Sequence, residues 1–157
     1  MSGTLKVAAQ GDREIVMTRV LDAPRTLVFD AFTKPELLRK WFYGPDGWTL
    51  AVCEIDLRVG GKYRYVWKRG DTEMGMGGVY KEIKAPERIV ATGKFDQPWY
   101  PGEEVGTMVF AEKGGKTTLT QTVRYESREA RDAVLASGAM AGVELGYDRL
   151  EKMLRGR

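Results

Sequence analysis

Apolar and polar positions alternate with a period of two through most of the middle of the chain, and recur at helical spacing on either side of it. The β-branched stretch "EIVMTRVL" (14–21) predicts a strand. Six more strands are predicted between residues 48 and 125: "WTLAVCEIDL" (48–57), "KYRYVWK" (62–68), "EMGMGGVYKEI" (73–83), "RIVATGKF" (88–95), "EVGTMVFAE" (104–112) and "KTTLTQTVRY" (116–125). Turn-forming clusters separate them: "VGG", "RGD", "KAPE", "DQPWYPG" and "KGG". Consecutive strands on short connections imply an antiparallel meander.

Two short helices are predicted after the first strand. In "DAPRTLVFDAFT", Asp22 is placed to cap the helix and Pro24 falls in its first turn, while Leu27, Val28, Ala31 and Phe32 recur at helical spacing. "KPELLRKWF" restarts at a proline and puts Leu37, Leu38, Trp41 and Phe42 on one side. The stretch 127–154 predicts one long helix, with Ser127 as N-cap and Glu129 in the first turn. The order is strand, two helices, six strands, long helix. That is an α+β arrangement in which an antiparallel sheet needs one face covered and the last helix is long enough to cover it. Residues 1–13 form an extension or short strand, 14–154 one domain, and 155–157 a tail.

Alternation assigns the covered face. Tyr63, Tyr65 and Trp67 share one side of their strand, with Lys62, Arg64 and Lys68 on the other. Met74, Met76, Gly78 and Tyr80 fall together, as do Leu119, Gln121, Val123 and Tyr125. Gln121 and the tyrosine hydroxyls are polar groups on an inner face and need partners. On the last helix, Leu135, Ala139, Gly142, Val143, Gly146, Leu150 and Met153 make one apolar arc whose middle is small. Gly138, Gly142 and Gly146 are spaced four apart, and each interior glycine costs roughly 0.8–1 kcal/mol against alanine in a helix. Two explanations stay open. The glycines let the helix press onto the aromatic strands, or they leave volume unfilled between helix and sheet.

Composition narrows the chemistry. The 157 residues include no histidine, which excludes a His-based triad, a His-ligated metal and a His general base. The single Cys53 forms no internal disulfide and is read as a small inert hydrophobe in a cytoplasmic protein. A net charge of +3, from 25 basic and 22 acidic residues, is too balanced to point to nucleic acid or an anionic membrane. No apolar run is long enough for a membrane span, and the N-terminal residues do not read as a secretory signal. No metal or other cofactor is expected.

The stretches "RVLDAPRTLVFDAFTKPELLRKWF", "EIDLRVGGKYRY", "GVYKEIKAPERIV" and "GVELGYDRLEKML" resemble, in order and spacing, bacterial homologues of the activator of heat-shock-protein-90 ATPase, a family of the START-like, or SRPBCC, superfamily. The resemblance covers about residues 12–154. It implies a helix-grip (START-like, Bet v-like) fold, in which a curved antiparallel sheet wraps a long C-terminal helix with a cavity between them. Superfamily members bind hydrophobic molecules, and a few are cyclases or hydrolases.

The favoured function is therefore binding of a hydrophobic or aromatic small molecule. The site expected for it comprises Tyr63, Tyr65, Trp67, Met76, Tyr80, Gln121, Trp41, Trp99, Gly142 and Gly146. Trp41, Phe42 and Trp48 are read as core or lid. Trp99 and Tyr100 are read as a lid or a loop anchor, Asp56 and Arg58 as a structural ion pair, and Arg149 as partnered by a carboxylate such as Glu54 or by solvent. No catalytic residue is assigned. The alternatives are a cyclase- or hydrolase-type enzyme using the same cavity, disfavoured because no carboxylate is placed inward, and a protein-interaction module using the basic outer face of "KYRYVWK". The chain lacks the separate N-terminal domain of the eukaryotic activator, which counts against a chaperone partner. Pairing of two copies is common in such families, although no interface is marked in the sequence.

Overall fold

In the computed structural model, residues 4–156 are described. The predicted strands appear as β2 (Glu14–Leu21), β3 (Thr49–Ile55), β4 (Lys62–Arg69), β5 (Thr72–Lys84), β6 (Arg88–Phe95), β7 (Glu104–Lys113) and β8 (Lys116–Arg124), preceded by a short β1 (Lys6–Gln10). Residues 1–3 of the expected extension and residue 157 of the expected tail lie outside the described residues. All eight strands join one antiparallel sheet in the order β1-β2-β8-β7-β6-β5-β4-β3. Successive strands from β3 to β8 are neighbours, and β8 closes onto β2. The chain crosses from β2 to the far edge strand β3 through α1 (Arg25–Thr33) and α2 (Pro35–Trp41). Register shifts at Leu50/Val52 and at Tyr80/Glu82 mark bulges, the usual means of bending a sheet around a central element. The result is the curved sheet of a helix-grip fold.

Two expectations about the helices need correction. The segment 127–154 is not one helix but two, α3 (Arg128–Ala136) and α4 (Ala139–Arg155). Ser127 caps α3 as expected, accepting a hydrogen bond from the Ala130 backbone at 3.1 Å. The break comes at Ser137 and Gly138. Gly138 has φ +83°, in the left-handed region that L side chains rarely adopt, and so ends α3 rather than continuing it. The Ser137 hydroxyl serves both helices: it donates to the Val134 carbonyl at 2.6 Å and accepts from the Ala139 backbone at 3.1 Å. At the other end of the chain, Asp22 caps nothing. Pro24 is the N-cap of α1, without a side-chain hydrogen bond.

Two apolar clusters hold the helices on the sheet. The larger joins Leu21, Val28, Leu38, Trp41, Phe110 and Leu150, which link α1, α2 and α4 to the strands. The smaller, under α3, joins Ile15, Tyr100, Val123, Tyr125, Ala130 and Val134. Burial alternates without exception along β2, and its inward row ends Met17, Arg19, Leu21. Arg19 is thus a charged group facing a helix. It meets Glu151 of α4 at 2.7 Å and Asp148 at 2.8 Å, and the side chains of Arg19 and Glu151 are both buried. Arg131 of α3 is buried too, and donates to the carbonyls of Gly11 and Glu14 at the β1–β2 turn.

Candidate ligand cavity between the sheet and the last helix

Sheet alternation and the small face of α4 combine to leave space. An inner chamber of about 280 Å³ lies between them. Its sheet wall carries Tyr63 and Tyr65 of β4, Met76 and Tyr80 of β5, and Gln121 of β8, and its helix wall carries Gly142, Val143, Gly146 and Tyr147. Trp41 and Phe42, at the end of α2, close one side. An adjoining mouth of about 380 Å³ shares Trp41, Phe42, Met76, Gly142 and Gly146 with the chamber and adds Trp67, Trp48, Met74 and Arg149.

The glycines on α4 do different things. A Cβ built on Gly142 meets nothing within 4 Å, and the residue is exposed, so that position lies on the open side of the cavity where chamber and mouth join. A Cβ on Gly146 lies 3.8 Å from the Trp41 ring, an ordinary van der Waals contact. Neither is needed for close approach of the helix backbone to the strands. Close approach is instead what Gly78 on β5 allows: a Cβ there would lie 1.9 Å from the Thr92 carbonyl oxygen and 2.8 Å from Tyr63.

The chamber's polar groups are partly engaged. The Tyr147 hydroxyl donates to Gln121 Oε1 at 2.6 Å, so the inner-face glutamine is partnered by the helix. The Tyr63 hydroxyl donates to the Thr92 carbonyl at 2.6 Å. Burial pushes the Tyr63, Tyr65 and Tyr80 hydroxyls well above the ordinary tyrosine value, so all three are protonated at neutral pH. Trp41 and Trp67 spend their indole N–H groups on the carbonyls of Ala31 and Phe42, each at 3.0 Å, which leaves their rings as fixed walls.

Of the lining residues that sequence reasoning missed, one changes the chemistry. Glu104, the first residue of β7, lies on the inner face opposite Gly93. It accepts a hydrogen bond from the Tyr100 hydroxyl. Burial raises its carboxyl above the ordinary glutamate value, while the Tyr100 bond pulls the other way. Sequence reading placed no carboxylate inward, and Glu104 is one. Counting back by twos from Phe110 and Met108 would have found it.

Trp99 departs from the expected site. It is exposed, lines neither chamber nor mouth, and packs against Phe95 and Tyr100 with ring centroids 6.0 and 4.9 Å away. Tyr100 is the buried member of that pair and touches Tyr125. Trp67 lines the mouth rather than the chamber. Arg149 is partnered not by Glu54 but by the loop after α2: it donates to the Gly44 carbonyl, meets Asp46 at 3.0 Å, and stands 4.0 Å from the Tyr43 ring centre. Asp56 and Arg58 form the expected pair at 2.8 Å, and Cys53 is a buried free thiol. On the outer face, Arg64 is paired with Asp96 and Lys68 lies 3.8 Å from Glu73, so that face is not a bare basic surface.

Sheet order, gripped helix and cavity together define a START-like protein of the helix-grip class. The sequence profile of the activator of Hsp90 ATPase homolog 1-like proteins matches residues 22–155, and the chain belongs to that family. Comparison with curated proteins finds no match. Among solved structures, a Rhodobacter sphaeroides protein is 27% identical with a TM-score of 0.93, the match covering 99% of this chain and 100% of that one. A Chromobacterium violaceum protein is 29% identical with a TM-score of 0.75, over 90% and 96% of the two chains. An AHSA1-like protein of Aeromonas hydrophila shares the fold at 18% identity and a TM-score of 0.73, over 89% and 93%. Among the described residues no helix is long and apolar enough to cross a membrane.

Proposed function

We propose that the protein binds a hydrophobic or aromatic small molecule in the cavity between α4 and the sheet, and that it does so in the cytoplasm, where the buried Cys53 stays reduced. The observation that carries this reading is the open space at Gly142. A helix position that could hold a side chain without clash is left bare opposite a wall of tyrosines. Chamber and mouth, at about 280 and about 380 Å³, are each near the lower end of typical ligand sites, about 300–1,000 Å³. Walls that are mostly aromatic and aliphatic, with a few polar groups, suit an apolar body carrying one or two polar atoms. Among the described residues the carboxylate pair used in glycoside hydrolysis has no counterpart, since Glu104 is the one carboxyl of theirs lining the chamber.

The test is a titration with N-phenylnaphthylamine, a neutral dye that fluoresces in apolar surroundings. Saturable binding of one dye per chain, with a rise in Tm that grows with dye concentration, is the expected result. Fluorescence that never saturates, or no shift in Tm, would contradict the reading.

A further inference from the structure

Among the described residues, the inner chamber is lined by one ionisable carboxyl. Glu104 is the single residue with an acidic or basic side chain among those lining it. The carboxyl stands over a bare patch of the sheet. Its partner across the strands is Gly93, where a Cβ would lie 3.1 Å from both Glu104 Cγ and the Tyr63 hydroxyl oxygen. The next inward pair is Ala91 opposite Gly106, again small. One carboxyl oxygen accepts from Tyr100, and the other makes no hydrogen bond to the described residues. The side chains of Tyr65 and Tyr80, on the same walls, also make no hydrogen bond to the described residues.

We propose that Glu104 is the polar anchor of this cavity, and that the molecule it holds carries a cationic nitrogen, a protonated amine on an apolar or aromatic body. The proposal rests on the cavity reading above and gives its ligand a chemical class. A carboxylate in apolar surroundings needs a partner. Among the described residues no lysine or arginine lines the chamber, and the cationic residue that lines the mouth, Arg149, is held by Gly44 and Asp46. The groups that face Glu104 are Tyr100 from the 96–103 loop, Tyr63 from β4 and Tyr125 after β8, none of them positive. From α4 the chamber receives Gly142, Val143, Gly146 and Tyr147, also without charge. The ligand is thus the remaining source of a counter-charge. The rings of Tyr63, Tyr65 and Tyr80 favour a cation at their faces. A carboxylic acid ligand would set two like charges together.

The test compares three probes of one shape by calorimetry: phenethylamine, phenethyl alcohol and hydrocinnamic acid. The amine is expected to bind about tenfold tighter than the alcohol at neutral pH, and the acid weakest. Glu104→Gln should bring the amine to the level of the alcohol and leave the alcohol's affinity within about twofold. Amine affinity should fall as pH drops from about 7 to about 4, as the carboxyl takes up its proton, while alcohol affinity holds. Equal binding of amine and alcohol, or an amine preference that survives Glu104→Gln, would overturn the proposal and leave the cavity reading standing. Failure of all three probes where N-phenylnaphthylamine binds would also overturn the anchor alone. Failure of the dye as well would overturn both.

Discussion

Gly142 and Glu104 are the two residues whose chemistry runs against their surroundings. Glycine at position 142 gives up helix stability without relieving any contact, because its missing Cβ would touch nothing. Gly142→Ala is therefore expected to raise stability by up to about 1 kcal/mol, read from urea denaturation. A loss instead would mean that the helix presses onto the strands after all. Glu104 runs against a different preference, that of a carboxylate for water. Its pKa is raised in the folded state, so the native protein holds a proton that the unfolded chain has released. Its contribution is fully present below the ordinary glutamate value of about 4.3 and is lost as pH rises through the folded value. Glu104→Gln carries no such titration. Its stability relative to the parent should increase as pH rises from about 4 to about 8, and a difference independent of pH would show that the carboxyl is not held out of water.

At the scale of elements, the break between α3 and α4 and the ion pair beneath α4 set how the last helix lies on the sheet. Arg19 and Glu151 are buried together, and breaking such a pair on one side leaves a charge without its partner. Glu151→Leu should cost about 3–5 kcal/mol, whereas Arg19→Met combined with Glu151→Leu should recover much of that loss, as a double-mutant cycle would measure. Full additivity of the two changes would contradict the pairing. Much of this level was legible in the sequence because strand alternation is local. Tyr63, Tyr65, Met76, Tyr80 and Gln121 could be set on one face from their own strands, and all five line the chamber. Glu104 was reachable by the same count but less plainly marked, because β7 carries Gly106 between it and Met108, and the apolar stripe fades there. Gly138 looked like Gly142 and Gly146 at equal spacing. What separates it is a backbone turn held by the Ser137 hydroxyl, and spacing does not report that. Trp99 left a lid and a loop anchor open by its bulk alone, and its ring packs on Phe95 and Tyr100 as an anchor's does.

For the molecule as a whole, the sheet curves around α4 without filling the space that its bend creates. Large inward aromatics on the strands meet a helix face that is bare at 142 and small at 146, and α2 closes the side with Trp41 and Phe42. The two apolar clusters hold the helices on the sheet, and the larger shares Trp41, Tyr80, Ile89 and Tyr147 with the cavity wall. The most direct measurement is on Gly142→Leu, with chemical denaturation and dye titration made on the same preparation. If the space is a ligand site, the variant folds with stability equal to or above the parent and loses N-phenylnaphthylamine binding. If helix and sheet are in contact there, the same change overpacks the core and costs about 1–3 kcal/mol, and that result would contradict the account.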